Sequence, residues 1–557
     1  MRTLPVSVSE PLLRVPPFPG ARSVEFGRVT LTRNEVGDAQ CDQAITALVR
    51  ERCAGTFWGR RPELPKTPYA LVKISTQRER SVMMETLTKG LSIVSWNAGP
   101  SVSKDIDRPV TGVTGTCDPW HLVSGAATVI AQADDEVLLI AALAGVPVQP
   151  IGEGRFSDIG TGHAALRTAI LDHVLARTSY ANPFTGEALS FVDAVQLCAF
   201  WKGLIDTNRP IAAALGFAAW KRTTAAPLLW DGAPAGRFAV RADDVRPGDA
   251  VVVWKSRTDP GALADAQRRG ARMWEAEDGF IRSIGLGADC VPPLSLVVDR
   301  TGIYFDPHQP SDLETMLERA PFPLELLDRA RRLRALIVEH GVSKYAQGNR
   351  VLERRAGGRR HLLVTGQVED DRSVQCGGGA VTSNLELLRR VRQDAPNAYI
   401  LYKPHPDVEA GHRVGAIASG TALTYADEIV ANEPISSLID VVDEVHVNTS
   451  LAGFEALVRG KPVTTHGVPF YAGWGLTRDL GALPERRTAR RTLDELIAAV
   501  LLLYPRYLDP VTGLPCTAEI LVRRLAEGAS ARPGALVRLR RWQGFLRRRI
   551  AALRGWA

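Results

Sequence analysis

The sequence lacks several features that would assign it to a well-known class of protein at once. It has no run of roughly 18 consecutive apolar residues, so no segment is expected to span a bilayer. Its first residues do not have the charged-then-apolar order of a secretory signal peptide, which favours a cytoplasmic location. Neither the phosphate-binding loop of NTPases nor the GxGxxG fingerprint of dehydrogenases is present, which argues against both classes.

Metal-binding patterns are also scarce. The seven cysteines are scattered, and no two of them have the spacing of zinc ligands, so we expect reduced thiols. His405 has no second histidine at ligand spacing, because His412 lies seven residues further on. We therefore expect no metal site and no bound cofactor.

The length of 557 residues suggests about three to four domains. Charge is unevenly distributed along these residues. The net charge is +7, and the stretch from Gly528 to Ala557 holds eight arginines and no acid. Apolar residues interleave with these arginines at helical spacing, which is typical of a helix on an anionic membrane surface; a solvated or docked basic helix is the alternative. No aromatic-basic face occurs elsewhere, so we expect no nucleic-acid partner.

The stretch from Val445 to Thr477 predicts a strand, a helix and a second strand. Apolar Val445 and Val447 lead into a polar turn, the helix is expected to end at Gly460, and Pro462 opens the next strand. Similar alternation of apolar strands and helices from Tyr69 onward predicts an α/β protein, with one helical stretch from Ser311 to Arg355.

The polar turn of this unit suits an anionic ligand. Thr449 or Ser450 can cap the helix and still offer a hydroxyl group, and the free N–H groups at the helix start favour a phosphate. Glu455 lies in the first turns of the helix, where its carboxylate can accept hydroxyl groups of a sugar. An ordinary capped helix without a ligand fits the same pattern.

Part of the sequence occurs twice. DEVLLIAALAGVPVQPIG resembles TSLAGFEALVRGKPVTTHG, and YANPFTG resembles YLDPVTG in the same order further on, which predicts a duplicated module. The first copy has Asp135 and Glu136 where the second has Thr449 and Ser450. Because two acids repel a phosphate, we expect the first copy to be structural or to bind an acceptor.

Acidic residues mark two places upstream of this unit. Glu277 and Asp278 precede a glycine after the VVVW region, and a carboxylate in such a turn, near Arg282, can act as a general acid or base. A surface turn with a salt bridge is the alternative. The second place is residues 367–371, at the end of the strand HLLVTG. In open α/β sheets, ligands gather at the carboxyl ends of the strands. A solvated acidic loop is the alternative. The candidates there are Gln367, Glu369, Asp370 and Asp371.

Lys403, His405 and Pro406 end the strand AYILY. The prolines on either side hold His405 in an extended turn, from which it can donate to a phosphate while Lys403 adds positive charge. A rigid turn without a ligand is the alternative. Taken together, the four motifs predict a nucleotide-sugar site, with the phosphate held by His405 and the Thr-Ser turn and the chemistry done by two carboxylates.

The same motifs resemble bacterial capsule-biosynthesis proteins of the KpsC type. The resemblance rests on EDGFIRSIGLG, PLSLVVDRTGIYFDP, GQVEDD, YKPHPD and TSLAGFEALVRGKPV with GVPFYAGWGLT, and it covers Asp249 to about Val522. Members of that family are retaining β-Kdo glycosyltransferases, which usually carry two modules, each a GT-B-like pair of Rossmann-type lobes. The resemblance therefore implies one whole module here, preceded by a partial copy.

The implied division has four parts. Residues 1–230 form the partial module, 231–360 the first lobe of the whole module, 361–527 its nucleotide-binding lobe, and 528–557 a basic amphipathic tail. The tail would place the protein on the inner face of the cytoplasmic membrane. Capsule assembly or export proteins are expected as partners.

The implied activity is transfer of β-Kdo from CMP-Kdo to a lipid-linked Kdo primer. His405, Pro406, Thr449 and Ser450 match family residues that contact CMP, and the pairs Glu277–Asp278 and Glu369–Asp370 match the family's paired acids. Two other functions stay open from the sequence. One is a non-catalytic assembly factor that binds Kdo-lipid, and the other is a transferase that uses CMP-sialic acid.

The chemistry of retention needs one carboxylate nucleophile and one acid/base group. We predict Asp370 as the nucleophile, and Glu277 or Asp278 as the group that deprotonates the acceptor, although the order can be reversed. Arg282 is expected to steady the sugar carboxylate. Lys403, His405 and the helix dipole could neutralise the phosphate, so we predict no metal requirement.

Overall fold

The computed structural model describes residues 10–529 except for 31–32, 75, 77–78, 80, 84–86, 88–89, 98–108, 161, 234–235, 284–290, 344–350, 356, 410 and 412. It divides into two compact units. Unit 1 comprises Met1–Arg209 and Leu229–Ala235, and unit 2 comprises Pro210–Leu228 and Gly236–Ala557. The basic tail and His412 lie outside the described residues, apart from Gly528 and Ala529.

Unit 1 contains eight strands and five helices in its described part. The strands are β1 (Gly27–Val29), β2 (Tyr69–Lys73), β3 (Ser92–Trp96), β4 (Val110–Val113), β5 (Ala126–Gln132), β6 (Val148–Ile151), β7 (Thr178–Ala181) and β8 (Ala188–Leu189). The helices are α1 (Asp38–Glu51), α2 (Pro119–Val123), α3 (Glu136–Leu143), α4 (His163–Ile170) and α5 (Phe191–Asn208). A π-helical turn, Leu171–Leu175, continues α4.

The main sheet of unit 1 is parallel, in the order β4-β3-β2-β5-β6. Its central strands are apolar on both faces, as expected for a parallel sheet covered on both sides. Helix α3 is buried along its whole apolar length because almost every residue in it is hydrophobic. Strands β1, β7 and β8 form a separate antiparallel sheet.

Unit 2 contains twelve strands and twelve helices in its described part. The strands are β9 (Ile211–Leu215), β10 (Ala250–Val253), β11 (Arg272–Asp278), β12 (Ser295–Asp299), β13 (His361–Thr365), β14 (Tyr399–Lys403), β15 (Glu428–Ile429), β16 (Glu444–Val447), β17 (Val463–Thr465), β18 (Arg478–Asp479), β19 (Pro505–Leu508) and β20 (Pro515–Cys516).

The helices of unit 2 follow these strands closely. They are α6 (Ala219–Leu228), α7 (Pro260–Arg268), α8 (Asp312–Arg319), α9 (Leu324–Glu339), α10 (Arg372–Gly377), α11 (Asn384–Asp394), α12 (Pro406–Glu409), α13 (Ser419–Ala422), α14 (Ile435–Val441), α15 (Leu451–Val458), α16 (Leu493–Ile497) and α17 (Ala518–Ala526). A π-helical segment, Ala498–Leu503, continues α16.

Two six-stranded sheets divide unit 2 into two lobes, which confirms the predicted α/β class with a GT-B-like pair of lobes. We call the lobe around the mixed sheet β20-β19-β12-β11-β10-β9 the N-lobe, and the lobe around the parallel sheet β15-β14-β13-β16-β17-β18 the C-lobe. In the C-lobe the strand order reverses at β13, because β14 and β15 lie on one side of it and β16 on the other. Such a switch point opens a crevice at the carboxyl ends of the strands.

The two units share the succession of elements in which the sequence repeats occur, and the duplicated module itself stays a prediction. Strand β5, helix α3 and strand β6 occupy the same positions in their sheet as β16, α15 and β17 in theirs. Both helices are followed by a glycine with positive φ, +74° at Gly145 and +71° at Gly460, a conformation that glycine adopts without strain. The second echo is also structural: α4 and α16 each run into a π-helical segment and then an antiparallel hairpin.

Three expectations differ from the structure. The domain border at residue 230 cuts across unit 2, because β9 pairs with β10 and so brings residues 210–228 into the N-lobe. Strands β19 and β20 also return to the N-lobe, although they follow the C-lobe in the chain. The single helical stretch expected over 311–355 is two helices, α8 and α9, separated at Pro321 and Pro323, since a proline interrupts helical hydrogen bonding.

Within the described residues, no helix is both long and apolar enough to cross a membrane.

Candidate functional site

A cleft of about 940 Å³ in unit 2 collects most of the predicted site residues. One wall comes from the N-lobe and the other from the carboxyl ends of the C-lobe strands. The predicted residues that line it are Glu277, Asp278, Arg282, Gln367, Lys403, His405, Pro406, Thr449, Ser450 and Glu455.

Gln367 and Thr449 join the two sides of the switch point in the C-lobe. Gln367 follows β13, and Thr449 follows the neighbouring strand β16. The Thr449 N–H donates to Gln367 Oε1 at 2.8 Å, and Gln367 Nε2 donates to Thr449 Oγ1 at 3.0 Å. This pair of hydrogen bonds fixes the turn that leads into α15. Ser450 caps the helix, because its Oγ accepts from the Ala452 N–H at 3.3 Å.

His405 has a defined orientation at the end of β14. The backbone N–H of Asp407 donates to His405 Nδ1 at 3.1 Å. Because a backbone N–H can only donate, Nδ1 must accept, and the proton of the neutral ring resides on Nε2. Lys403 donates to the Ala431 carbonyl at 2.8 Å, and burial lowers the pKa of its ammonium group. Both side chains can donate to an anion at this edge of the sheet.

The N-lobe wall carries a partly buried carboxylate between two cations. Asp278 does not lie in a turn, as predicted, but ends strand β11, which pairs with β12. Its Oδ1 accepts from Lys221 Nζ at 3.0 Å and its Oδ2 from Arg282 Nε at 2.7 Å. Burial alone would raise the pKa of Asp278, but the Arg282 and Lys221 charges lower it well below the usual range. Asp278 therefore stays ionised at neutral pH.

Lys221 is a cleft residue that the motifs did not identify. It lies in the first turn of α6, and its ammonium group sits 3.3 Å from the centroid of the Trp254 ring. Burial lowers its pKa, while the charges of Asp278 and Glu277 oppose that change. No signal in the sequence pointed to this lysine, because its segment was assigned to the partial module.

Arg282 is placed differently from its predicted role. It was expected to steady the carboxylate of a sugar. Its Nε donates to Asp278, one terminal nitrogen donates to Ser283 Oγ at 2.8 Å, and the other donates to the Val291 carbonyl at 2.9 Å. Arg282 thus lines the cleft, but its side chain is 1% exposed and its guanidinium group donates to groups of the N-lobe wall itself.

Glu369 and Asp370 do not line the cleft. Glu369 accepts from the backbone N–H of Asn384 at 2.7 Å, which ties the loop to the start of α11. Asp370 is half exposed and pairs with Arg413 at 2.9 Å. Asp371, which begins α10, is the member of this acidic run that lines the cleft. The sequence placed an acidic run at this strand end, but it could not show which of the acids lines the cleft.

The two lobes meet beneath the cleft. Glu275 on β11 pairs with Arg372 at the start of α10, and Arg372 lies over the Phe305 ring at 4.9 Å. The rings of Phe280 and Phe470 pack at 4.8 Å between centroids. An apolar and ionic contact of this kind aligns the carboxylate wall with the phosphate-suited wall.

The equivalent position in unit 1 is filled by side chains of unit 1 itself. Lys73, at the end of β2, pairs with Asp135, which caps α3, at 2.9 Å. Glu136 pairs with Arg14. An acidic helix start that is already paired does not suit a phosphate. The structural or acceptor-binding role of the first copy stays a prediction.

Comparison with known proteins identifies the family. A family model described as capsule polysaccharide biosynthesis protein matches residues 249–507, which include most of both cleft walls. The lipopolysaccharide-processing protein LpsZ of Rhizobium meliloti is 43% identical over 299 residues, which cover 51% of this chain and 67% of LpsZ. The chain belongs to the capsule polysaccharide biosynthesis protein family. The resemblance predicted from the motifs is confirmed.

Two further members of this capsule group show how much of a relative the chain spans. The capsule polysaccharide modification protein LipA of Neisseria meningitidis serogroup A is 40% identical over 365 residues, or 63% of this chain and 51% of LipA. The chain thus spans about half the length of this curated relative. A solved structure of Thermosulfurimonas dismutans KpsC, described as a beta Kdo 2,7 transferase, is 39% identical, with a TM-score of 0.41 over 50% of this chain and 84% of that one.

Proposed function

We propose that this capsule protein is a retaining glycosyltransferase that moves β-Kdo from CMP-Kdo to a lipid-linked Kdo primer. The observation that carries the proposal is the cleft of unit 2, where a wall suited to a phosphate faces a wall with an ionised carboxylate. The similarity in sequence to a KpsC described as a beta Kdo transferase supports the choice of sugar.

The C-lobe wall would bind the CMP portion of the donor. The N–H groups at the start of α15, the Ser450 hydroxyl and His405 Nε2 are donors for the single phosphate of CMP. Lys403 adds a positive charge beside them. These groups would stabilise CMP as it leaves, so the proposal includes no metal ion.

The N-lobe wall would carry the chemistry. A nucleophile must be deprotonated, and Asp278 is held so by Lys221 and Arg282. In the first step a bond forms between an Asp278 oxygen and the anomeric carbon, and the bond from that carbon to the phosphate oxygen breaks, so CMP leaves with the electron pair. In the second step an acceptor hydroxyl attacks the same carbon, the bond to Asp278 breaks, and Glu277 takes the hydroxyl proton. Two inversions give net retention.

Membrane attachment is part of the proposal and rests on the sequence alone. The acceptor is lipid-linked, and the arginine-rich stretch after Gly528 would hold the protein on the anionic inner face of the cytoplasmic membrane, near capsule assembly or export partners.

The test is transfer to a synthetic Kdo-terminated lipid, with CMP-Kdo and CMP-sialic acid supplied side by side. We expect one β-linked Kdo to be added, and the His405→Ala variant to fail while it remains folded. Transfer of sialic acid alone would replace the proposed donor. A folded wild-type protein that binds Kdo-lipid and transfers neither sugar would be an assembly factor instead.

A further inference from the structure

We propose that Lys221 binds the carboxylate of the donor sugar and thereby selects 2-keto acid sugars over uncharged ones. This inference rests on the proposed function, because it names the group of the donor that the N-lobe wall recognises. It concerns a residue of α6, which lies outside the segment matched by the family model.

The chemistry of the donor fixes where its carboxylate must lie. In a 2-keto acid sugar the carboxylate carbon is bonded directly to the anomeric carbon. Any cation that binds the carboxylate must therefore sit beside the group that attacks that carbon. Lys221 Nζ lies 3.0 Å from Oδ1 of Asp278, the proposed nucleophile. The ammonium group is therefore beside the anomeric carbon that Asp278 would attack.

Lys221 is held rigidly in this position. Its side chain is 7% exposed, its ammonium group rests on the face of Trp254, and one hydrogen bond goes to Asp278. An ammonium group has three N–H donors, so this bond leaves capacity for a ligand. Burial lowers the pKa of Lys221, and an anion bound beside it would favour the charged form.

Arg257 also lines the cleft but is exposed on the short turn after β10, and the other lining cations are engaged with groups of the protein. Arg282 donates to Asp278, Ser283 and Val291. Arg372 pairs with Glu275, and Arg413 pairs with Asp370. Lys403 lies on the opposite wall, beside the turn suited to the phosphate. Lys221 is therefore the cation best placed for a carboxylate on the anomeric carbon.

The experiment compares two inhibitors, 2-deoxy-Kdo and its carboxamide, in which a neutral amide of similar size replaces the carboxylate. Wild-type protein should bind the acid about 10- to 100-fold more tightly than the amide, as expected for a hydrogen bond to a charged group. The Lys221→Met variant should lose this preference, and Lys221→Arg should keep part of it. The affinity for CMP, measured by calorimetry, should not change.

Two controls make the outcome specific. Any effect of the substitution on Asp278 cancels in the comparison, because the acid and the amide meet the same altered wall. Lys255→Met removes a lysine of the N-lobe that is half exposed and does not line the cleft, so that variant should keep the preference for the acid.

The inference has clear ways to fail. Equal binding of acid and amide by wild-type protein overturns it whether or not any variant folds. An undiminished preference in Lys221→Met, with CMP affinity intact, also overturns it. Failure of wild-type protein to transfer Kdo at all would instead overturn the proposed function.

Discussion

Asp278 is largely withdrawn from solvent and is still ionised at neutral pH, because its side chain is 17% exposed and its pKa is lowered. Lys221 and Arg282 occupy one carboxylate oxygen each, and the resulting drop in pKa removes any role in moving protons near neutral pH. Glu277, its neighbour on β11, also lines the cleft. In the proposed mechanism, this division separates the carboxylate that attacks from the one that takes a proton.

Substitution of the two candidate nucleophiles decides between them. We expect Asp278→Asn to lower kcat for β-Kdo transfer by more than about 1000-fold. Asp370→Asn should lower it by less than about tenfold, because that half-exposed carboxylate does not line the cleft and is paired with Arg413. Asp265→Asn, on exposed α7, serves as the control. The reverse order of losses would restore the assignment made from the sequence.

Gln367 offers a test of the phosphate wall. Gln367→Glu replaces the donor to Thr449 Oγ1 with a negative charge at the switch point, so CMP should bind about tenfold more weakly. Titration calorimetry measures this loss. The matched change Gln375→Glu adds the same charge on the exposed side of α10 and should leave CMP affinity as it is. Equal losses in both variants would mean that a general change in charge, not Gln367, is responsible.

Removal of metal ions tests whether the C-lobe wall needs a metal to bind the phosphate. If Lys403, His405 and the start of α15 are sufficient for the phosphate, transfer should proceed at an unchanged rate in EDTA. Initial rates with EDTA and with added Mg²⁺ provide the measurement. A rate restored only by the metal would show that these donors do not suffice.

At the scale of elements, residues 484–492 connect the two lobes of unit 2. Arg486 and Arg487 both pair with Glu314 on α8, and Arg487 also donates to the carbonyls of Pro469 and Ala472 at 2.9 and 2.8 Å. The side chain of Glu314 is 8% exposed. One buried carboxylate therefore neutralises two arginines where the C-lobe chain returns to the N-lobe.

Glu314→Gln should be strongly destabilising, because it leaves those arginines without their counter-charge. We expect a loss of about 3–5 kcal/mol in the free energy of unfolding. Glu318→Gln affects a more exposed acid one turn along α8, which accepts hydrogen bonds from Thr488, and should cost no more than about 1 kcal/mol. Urea denaturation of both variants gives the comparison. Similar losses would show that the buried charge is not the determining factor.

Elements with strong local signals were predictable. The β16–α15–β17 unit was correct because Ser450, Gly460 and Pro462 mark its turns, and these residues act through nearby backbone. The separation of α8 from α9 could also have been read from Pro321 and Pro323. The return of β19 to the N-lobe could not, since strand pairing between Ser295 and Tyr507 depends on contacts over two hundred residues apart.

The same limit applies to the site. His405 and the Thr-Ser turn were identified because each follows a strand whose carboxyl end must lie at the crevice. Lys221 was missed since α6 reaches the cleft only when β9 joins the N-lobe sheet. The sequence also did not show which acid of the run Glu369–Asp371 lines the cleft. That depends on the backbone conformation of the loop, which amino-acid composition does not specify.

For the whole molecule, acid sensitivity follows from carboxylates buried at the amino ends of the C-lobe strands. Glu444 on β16 interacts with His446, Thr464 and Arg360. Burial opposes ionisation, but these partners lower the pKa of Glu444 to about 2. Its contribution to stability is therefore complete above its unfolded pKa of about 4.3 and is lost as the pH falls towards 2.

Glu444→Gln should flatten the pH dependence of unfolding. Wild-type stability should decrease between about pH 5 and pH 2, and the variant should take up about one proton fewer per molecule on unfolding in that range. Chemical denaturation at a series of pH values measures the slope. Glu325→Gln, an exposed residue of α9, is the control and should follow the wild type. An unchanged slope in Glu444→Gln would place the acid sensitivity elsewhere.

The return of β19 to the N-lobe affects how the protein is made on the ribosome. Strands β9 to β12 emerge early, but β12 lacks its antiparallel neighbour until Pro505–Leu508 has been synthesised. At about 5–20 residues per second, the roughly two hundred residues in between take about 10–40 s. During that interval the apolar edge of β12 remains open to other strands. Slow synthesis of the C-lobe would therefore prolong a state that is prone to aggregation, and a chaperone bound to that edge would protect it until β19 emerges.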